Sequence, residues 1–344
     1  MSIVKLRLLG LSSRTWTRSN SSSHKRVLWS TFRIRQFSTE QEVFEDFGEY
    51  SVILPEEPFV FGVSHIKPRT VPAHVKKPPY ALPGGEQAFG IPKQNSGKIP
   101  LGGVEESLLA QAGSLAKKVR QFAGTQVKVL DRSVQRPTKS ILRFSAFVLH
   151  KVESLPATIS LQLIPLSINN IAVHGIPDDR KLENGDIINI DVTIYLNGYH
   201  GDTSETFLVG DVDEPGKELV QVTNEALSRA IGICGPGRPF KDIGRTIHEY
   251  LLDKDYSVSS TFTGHGIGKV FHDNPAILHH LNDEPGVMEP GHCFTIEPVI
   301  IQGRNPKVWI FPDGWTASTE NCARSAQAEH MVLITNDGIK VLTR

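Results

Sequence analysis

The sequence has few cysteines and no long apolar run, and these absences exclude several classes of protein. Its three cysteines, Cys234, Cys293 and Cys322, match no zinc-ligand spacing, so neither a disulfide framework nor a structural zinc site is predicted. Free thiols in a reducing compartment are expected instead. No apolar stretch reaches the ~18 residues that a membrane span needs. The chain also contains neither a phosphate-binding glycine loop nor a Gly-x-Ser-x-Gly nucleophile elbow.

The amino terminus contains no acidic residue. Residues 1–39 carry eight Lys or Arg among many Ser and Thr, which is the composition of an organelle transit peptide. The sequence Arg35-Gln-Phe-Ser38-Thr resembles a mitochondrial processing region, so we predict mitochondrial targeting, with a plastid signal as the alternative. Without these eight residues, 29 basic residues face 37 acidic ones, a net charge of −8. The mature protein is therefore expected to be acidic and to bind no nucleic acid.

Three segments follow from composition and periodicity. Residues 1–39 form the transit peptide, and residues 40–104, which become rich in Pro and Gly, are interpreted as an extended arm and solvated linker. Contact of its basic patch with a ribosome is the alternative. Residues 105–344 are long enough for one catalytic domain, expected to be monomeric and of mixed α/β (α+β) class. Helical periodicity begins at Val104, and further helices are predicted around Gly216 to Ile233 and Phe240 to Leu252.

Metal-binding side chains recur through the second half of the chain and predict a two-metal hydrolase. The acidic members lie within apolar, strand-like runs, where a buried carboxylate needs a cation beside it. The candidate ligands are Asp191, Asp202, His265, Glu297 and Glu329.

A predicted hairpin brings the first two carboxylates together. Asn197-Gly198 is the preferred type I′ turn between two runs of strand-forming residues. With this loop, position 191 faces 204, so Asp191 and Asp202 are diagonal neighbours on one face of the sheet. Two anions placed in this way repel each other unless a cation lies between them. The two predicted strands are Ile187 to Leu196 and Tyr199 to Val209.

A weak internal repeat supports the same interpretation. Gly185 precedes Asp191 by six positions, and Gly291 precedes Glu297 by six, so each acid lies on a strand that follows a turn. A duplicated half-domain related by a pseudo-twofold axis would explain this pattern, although chance would also produce it.

The ligand types indicate the chemistry. Four carboxylates and one imidazole suit two divalent ions, such as Mn, Fe, Co or Zn, that activate water for attack on a carbonyl. His174 and His272 lie in sequence contexts where a hydrolase would need hydrogen-bond donors to the oxyanion or leaving amine. The glycines around His265 indicate close backbone approach.

Seven short motifs together resemble the type I methionine aminopeptidases over residues 167–344. The amino-terminal features resemble the mitochondrial member of that family. The motifs are His174-Gly-Ile-Pro-Asp, Asn189-Ile-Asp191-Val-Thr, Gly201-Asp202-Thr-Ser-Glu-Thr-Phe, Gly264-His265-Gly-Ile-Gly, Thr295-Ile-Glu297-Pro, Asp313-Gly-Trp315-Thr and Ser325-Ala-Gln-Ala-Glu329-His330.

The resemblance implies the pita-bread fold around a dinuclear metal site and removal of the initiator methionine from nascent proteins whose second residue is small. It implies that Asp202 and Glu329 bridge both metals, that Asp191 binds one, and that His265 and Glu297 bind the other. Glu297 would also accept a proton from the bridging water. The residues implied in substrate contact are His174, His272, Phe271 and Trp315.

One stretch departs from the family pattern. Where the family has a pocket-forming segment rich in Tyr, Gly, Phe and Cys, residues 155–170 contain no Tyr, Phe or Cys. Residues 132–152 also contain no acid. A reading-frame error in this region is one hypothesis. Another is that the chain is a catalytically idle pita-bread paralogue that serves as a binding module, and a third is a related Xaa-Pro peptidase.

Overall fold

The computed structural model describes residues 46–63, 78, 97–127, 159–163, 165–178 and 180–344. Within these residues the chain forms three helices: α1 (Val104–Gln126), α2 (Glu214–Gly232) and α3 (Lys241–Leu251). The strands in the same residues are β1 (Ile159–Leu163), β2 (Leu166–Ile168), β3 (Ile171–Val173), β4 (Ile187–Leu196), β5 (Tyr199–Leu208), β6 (Tyr256–Val258), β7 (Gly264–Gly266), β8 (Asp273–Ile277), β9 (Cys293–Ile296), β10 (Val299–Gln302), β11 (Val308–Ile310), β12 (Ala317–Thr319), β13 (Ser325–Gln327), β14 (His330–Ile334) and β15 (Ile339–Val341).

The β4–β5 hairpin is the longest strand pair of the described chain. Its loop is Asn197-Gly198, and both residues have positive φ, 52° and 90°, as a type I′ turn requires. The register therefore runs from Leu196 opposite Tyr199 to Asp191 opposite Ser204, as predicted. On its other edge β4 pairs in succession with β1 and β2.

A second antiparallel pair is built in a similar way. Strands β9 and β14 pair at the centre of a five-stranded sheet with the order β15-β14-β9-β7-β8. Strand β9 begins two residues after Gly291, which has φ 94°, and β4 begins two residues after Gly185, which has φ 97°. The predicted internal repeat thus corresponds to a left-handed glycine turn before each of two strands. Because both φ values lie in the left-handed region, glycine is strongly favoured there.

The helices cover these sheets. Helix α1 packs on β4 and β5 through a buried stripe that includes Leu109, Ala112, Ala116 and Val119, as the periodicity predicted. Each large apolar side chain buried in this way contributes about 1.5–3 kcal/mol. The α1 backbone also approaches β5 so closely that a side chain at Gly201 would collide with the carbonyl of Ala112. Helix α1 therefore supports the strand that carries Asp202.

Helices α2 and α3 pack together over the second core. Helix α2 begins after Asp213, whose carboxylate accepts a hydrogen bond from the amide of Gly216 at 3.0 Å. This N-cap satisfies one of the otherwise unpaired amides of the first turn. Leu219 on α2 and Ile243 on α3 are fully buried in the same apolar cluster as Phe294 of β9. Both helices lie within a residue or two of their predicted bounds.

The described part of the amino-terminal arm is not solvated along its length. Residues 47–53 form hydrogen bonds to residues between 169 and 324, beginning with Phe47 and ending with Ile53. Composition alone predicted a solvated linker, because charge and proline content carry no information about such distant partners. The basic stretch at 67–77 lies outside the described residues, as does the divergent region up to residue 158. The described remainder of the divergent region contributes β1 and β2, both of which pair with β4. Among the described residues, no helix combines the length and apolar character needed to cross a membrane.

Candidate metal centre

Three predicted ligands converge on one point. Atoms of Asp202, His265 and Glu329 that could bind a metal all lie within 4.8 Å of one another. His265 Nε2 is 3.7 Å from Asp202 Oδ2 and 3.7 Å from Glu297 Oε1, so the imidazole faces two carboxylates. Asp202 and Glu329 are only 4% and 2% exposed, so water cannot adequately solvate their charges.

The two strand pairs supply the four carboxylates symmetrically. Asp191 lies on β4 and Asp202 on β5, where Asp202 pairs with Thr193 and is thus a diagonal neighbour of Asp191. Glu297 directly follows β9, and Glu329 directly precedes β14. The amide of Glu329 donates to the carbonyl of Ser204 on β5 at 3.0 Å, which ties one pair to the other.

Neighbouring polar side chains orient the carboxylates. Thr193 Oγ1 donates to Asp202 Oδ1 at 3.0 Å, and Thr295 Oγ1 donates to Glu297 Oε1 at 2.8 Å. Gln327 Nε2 donates to the other oxygen of Glu297 at 3.3 Å. The sequence analysis missed these three residues, although hairpin register placed Thr193 opposite Asp202 and Thr295 shares a strand face with Glu297. Outer partners of this kind fix ligand geometry in metal sites.

His265 is held as a neutral imidazole. Its Nδ1 lies 3.1 Å from the carbonyl of Gly266, which can only accept a hydrogen bond, so Nδ1 carries the proton and Nε2 is free to bind a cation. Burial lowers the pKa of His265 to about 3, which favours the same neutral form. Close backbone approach explains the flanking glycines, because a side chain at Gly264 or Gly266 would collide with the carbonyl of Thr295 or Asn274.

A second buried histidine supports Glu297 from behind. His279 is 1% exposed, and its Nε2 accepts a hydrogen bond from the backbone amide of Glu297 at 3.0 Å. Burial lowers the pKa of His279 to about 3, consistent with the neutral ring that this acceptor role requires. No motif in the sequence pointed to His279, because it reaches Glu297 from the segment after β8.

The electrostatics of the four carboxylates favour a bound cation. Burial raises the pKa of Asp191 to about 7, and burial together with the charge of Asp191 raises that of Glu297 to about 8. Burial and the neighbouring carboxylates raise the pKa values of Asp202 and Glu329 well above their usual range. Asp191 Oδ1 and Glu329 Oε1 are buried without a hydrogen-bond partner in the protein. An oxygen-rich donor set with unsatisfied buried atoms fits hard or borderline divalent cations.

The four residues predicted to contact substrate form two groups of contacting rings: Phe271 and His272 pack against His265, and His174 packs against Trp315. The His265 ring lies 4.4 Å from that of His272 and 5.4 Å from that of Phe271, between centroids. The His174 ring lies 5.4 Å from that of Trp315, which is 48% exposed. His174 has a φ of 59°, a strained conformation for a non-glycine residue that often marks a functional site.

His174 and His272, the two histidines predicted to contact substrate, are uncharged near neutral pH. Burial lowers the pKa of His174 and that of His272, and the charge of His174 lowers the pKa of His272 further. A neutral imidazole retains one N–H that can donate a hydrogen bond. Each of the two histidines can therefore donate one hydrogen bond, and His272 lies against the ring of the candidate ligand His265.

A family model, Metallopeptidase family M24, matches residues 111–336 of this chain. The chain belongs to metallopeptidase family M24. All five candidate ligands of this M24 protein, together with His174 and His272, lie within the matched residues. As a member of the family it is an enzyme that uses divalent metal ions.

Individual relatives agree with the family assignment. Methionine aminopeptidase 1D, chloroplastic/mitochondrial, of Arabidopsis thaliana is 43% identical over 288 residues, which cover 80% of this chain and 77% of the relative. Methionine aminopeptidase 1D, mitochondrial, of Homo sapiens is 42% identical over 305 residues, 86% of this chain and 84% of the relative. A crystal structure of methionine aminopeptidase from Rickettsia prowazekii has a TM-score of 0.62 and 36% identity, covering 70% of this chain and 97% of that chain.

These likenesses confirm two predictions of the sequence analysis. The fold is the pita-bread arrangement of the M24 peptidases, with mixed helix and sheet. The protein is a metallopeptidase, and an idle binding module is not favoured. The relatives also support an organellar location.

Proposed function

We propose that this M24 metallopeptidase removes the N-terminal methionine from proteins whose second residue is small. The convergence of Asp202, His265 and Glu329 within 4.8 Å is the observation that carries the proposal, since it creates a cation site beside two hydrogen-bond donors. The relatives named as methionine aminopeptidases indicate the substrate class.

The five candidate ligands would hold two divalent cations. Asp202 and Glu329 would serve both cations, as the resemblance to the type I methionine aminopeptidases implies. Asp191 would complete one ion and His265 with Glu297 the other. A dinuclear centre supplies Lewis acidity and lowers the pKa of a water molecule, so that a nucleophile exists at neutral pH. Mn, Fe, Co and Zn all suit this oxygen-rich donor set.

Glu297 is the proposed proton carrier. Its carboxylate is fixed by Thr295 and Gln327, so it can accept a proton from the attacking water in a defined direction and pass it to the leaving amine.

The imidazoles and aromatic rings would bind the substrate. His174 and His272 would donate hydrogen bonds to the scissile amide and to the oxyanion that forms on its carbonyl. Phe271 and Trp315 would form walls of the methionine pocket, and the half-exposed face of Trp315 is available for this contact. The segment that the family resemblance assigns to the rest of the pocket is 155–170, where this sequence has no Tyr, Phe or Cys.

We propose mitochondria as the location, on the basis of the basic, acid-free segment 1–39 and its processing-like sequence at Arg35 to Thr39. Plastids are the alternative, since the Arabidopsis thaliana relative is named for both organelles. The substrates would then be the amino termini of proteins made within the organelle, and the enzyme would act as a monomer.

Methionine release tests the proposed function directly. We expect residues 40–344, reconstituted with Mn or Co, to release methionine from a Met-Ala-Ser peptide and much less from a Met-Lys-Ser peptide. The difference arises because a long second side chain would collide with the ring-lined site. Absence of release by a folded, metal-loaded protein would contradict the proposal. It would also indicate that residues 131–166 do not complete the pocket.

Replacing His272 should separate catalysis from metal binding. Loss of one oxyanion donor typically lowers kcat by about 10²–10³-fold, and we expect His272→Ala to lie in that range with unchanged metal content. His248→Ala, an exposed histidine on α3, is the matched control and should behave as the parent. If His272→Ala instead loses its metal, its role as a substrate contact is wrong.

A further inference from the structure

The described arm precedes the M24 match at residue 111, yet it contacts Arg324, which precedes β13, and Asn169, which bonds to the first residue of β4. Residues 47–53, which we call the strap, form hydrogen bonds with four parts of the chain: the start of α2, the loop before β13, the turn between β2 and β3, and Glu183 before β4. These contacts join residues more than a hundred positions apart in the sequence, so the strap connects segments that only the complete fold brings together.

Arg324 is the centre of the first set of contacts. This guanidinium is fully buried, and its Nη1 forms an ion pair with Asp213 Oδ1 at 2.6 Å. Its Nη2 donates to the carbonyl of Phe47 at 2.6 Å, its Nε donates to Gln302 at 3.2 Å, and the Tyr50 ring lies 4.6 Å away. A buried charge needs nearly complete pairing, and the strap provides part of that pairing.

The strap fixes both sides of the same ion pair. The amide of Glu49 donates to Asp213 Oδ2 at 2.6 Å, and the hydroxyl of Tyr50 donates to the carbonyl of Cys322 at 2.7 Å. Burial raises the pKa of Tyr50, so this hydroxyl keeps its proton. The 322–324 loop is therefore held by strap backbone and side chain together.

Two asparagines form the second set of contacts. Asn170 accepts from the amide of Ile53 at 2.7 Å and donates to its carbonyl at 2.8 Å, as a neighbouring strand would. Asn169 donates to the carbonyl of Ser51 at 2.9 Å and accepts from the amide of Ile187 at 2.9 Å. Asn169 thus connects the strap to the first residue of β4.

Both anchored segments lead directly to ligands. Arg324 immediately precedes β13, whose Gln327 contacts Glu297, and Glu329 follows two residues later. Ile187 begins β4, and Asp191 lies four residues further along that strand. A dinuclear centre requires the distances between its carboxylates to be set to within fractions of an ångström. A displacement of either segment would change these distances.

We propose that residues 47–53 are a positioning strap for the metal centre and form part of the mature enzyme. The strap touches neither substrate nor metal and acts through Arg324 and Asn169. The inference rests on the metal centre proposed above. It also requires that removal of the targeting segment spares Phe47 and the residues after it.

Gly48 provides a sharp test of this proposal. It has a φ of 89°, and a methyl group there would collide with the Asp213 carboxylate and lie 2.6 Å from Arg324 Nη2. Gly62, also on the arm, has a φ of 76°, and nothing lies within 4 Å of such a methyl group. Alanine at either position imposes a similar backbone strain, so the pair isolates the effect of strap displacement.

Metal affinity at 25 °C is the primary measurement. It is made by competition with a fluorescent chelator on residues 40–344, and circular dichroism checks that each variant is folded. We expect Gly48→Ala to bind Mn or Co roughly 10–100-fold more weakly than the parent, as loss of an outer partner does, with Gly62→Ala unchanged. At saturating metal, kcat for methionine release should recover most of its parent value.

Several results would contradict the proposed role of the strap. Equal losses of affinity in both variants would assign the effect to backbone strain, and a lower Tm with unchanged affinity would make the strap a stabiliser of the fold alone. A parent that binds no metal would overturn the centre and the strap together. If Gly48→Ala does not fold, Tyr50→Phe with Ser51→Ala as its neighbouring control replaces it, because Ser51 Oγ bonds only to the exposed Glu183. Equal metal affinity in that second pair would again overturn the proposal.

Discussion

Asp202→Asn should abolish methionine release and remove at least one metal ion. The substitution keeps the shape of the side chain, but it replaces an anionic oxygen that faces His265 at 3.7 Å with an amide that cannot bridge two cations. Outer partners of metal sites already cost about 10–100-fold in affinity or activity, and a central ligand should cost more. We expect kcat/KM to fall by more than about 10³-fold on this basis.

The same substitution should stabilise the metal-free protein. Asp202 is surrounded by Asp191, Glu297 and Glu329, and these carboxylates repel one another when no cation is present. Removing one charge relieves that repulsion, so the Tm of the metal-free variant should exceed that of the metal-free parent. Added Mn should then raise the Tm of the parent strongly and that of the variant little, because only binding to the folded state stabilises it.

Metal analysis, steady-state kinetics and thermal unfolding of parent and variant are the required measurements. Asp253→Asn, an exposed carboxylate beyond α3, is the matched control and should leave all three unchanged. An Asp202→Asn protein that keeps two metal ions and full methionine release would disprove the role assigned to Asp202.

The metal-free protein should lose stability as the pH rises from about 4 to about 8. In the unfolded chain Asp and Glu ionise near pH 4. In the folded state burial holds the pKa of Asp191 at about 7 and that of Glu297 at about 8, so the folded protein binds more protons across this window. The free energy of unfolding then falls with increasing pH, by about 1.4 kcal/mol for each pKa unit of each group as an order of magnitude.

Metal ions should reverse this dependence. Ligation requires ionised carboxylates, so affinity increases with pH and the gain in unfolding free energy on adding Mn should grow between pH 5 and pH 8. Urea unfolding at a series of pH values, with chelator or with Mn, measures both curves. The metal-free Asp202→Asn variant should show a shallower slope than the parent. Parallel slopes for the two proteins would show that the carboxylate cluster does not cause the effect.

Local patterns in the sequence were sufficient to predict the geometry of the β4–β5 pair and the start of the strand before Glu297. The Asn197-Gly198 turn defines the register of β4 and β5, so the relation of Asp191 to Asp202 follows from counting residues. The repeated glycine turns likewise located β9 and Glu297. In each case the determinant is short-range: a turn that requires positive φ and a side-chain period of two along a strand.

Long-range partners were beyond the reach of the same arguments. His279 contacts Glu297 and residues 47–53 contact Arg324 only because the complete fold brings these segments together. Neither lies in a motif with a periodicity or turn of its own. Arg324 could have been suspected only after its burial was known, since a lone arginine in sequence is most often solvated.

The link between the two strand pairs has a consequence for the synthesis and folding of the enzyme. The amide of Glu329 on one pair binds the carbonyl of Ser204 on the other, and neither pair holds the complete ligand set. During translation, or during entry into an organelle with the amino end leading, Asp191 and Asp202 arrive long before Glu329. An unfinished chain would therefore lack Glu329 and with it part of the proposed metal centre, and we expect it to have no hydrolytic activity.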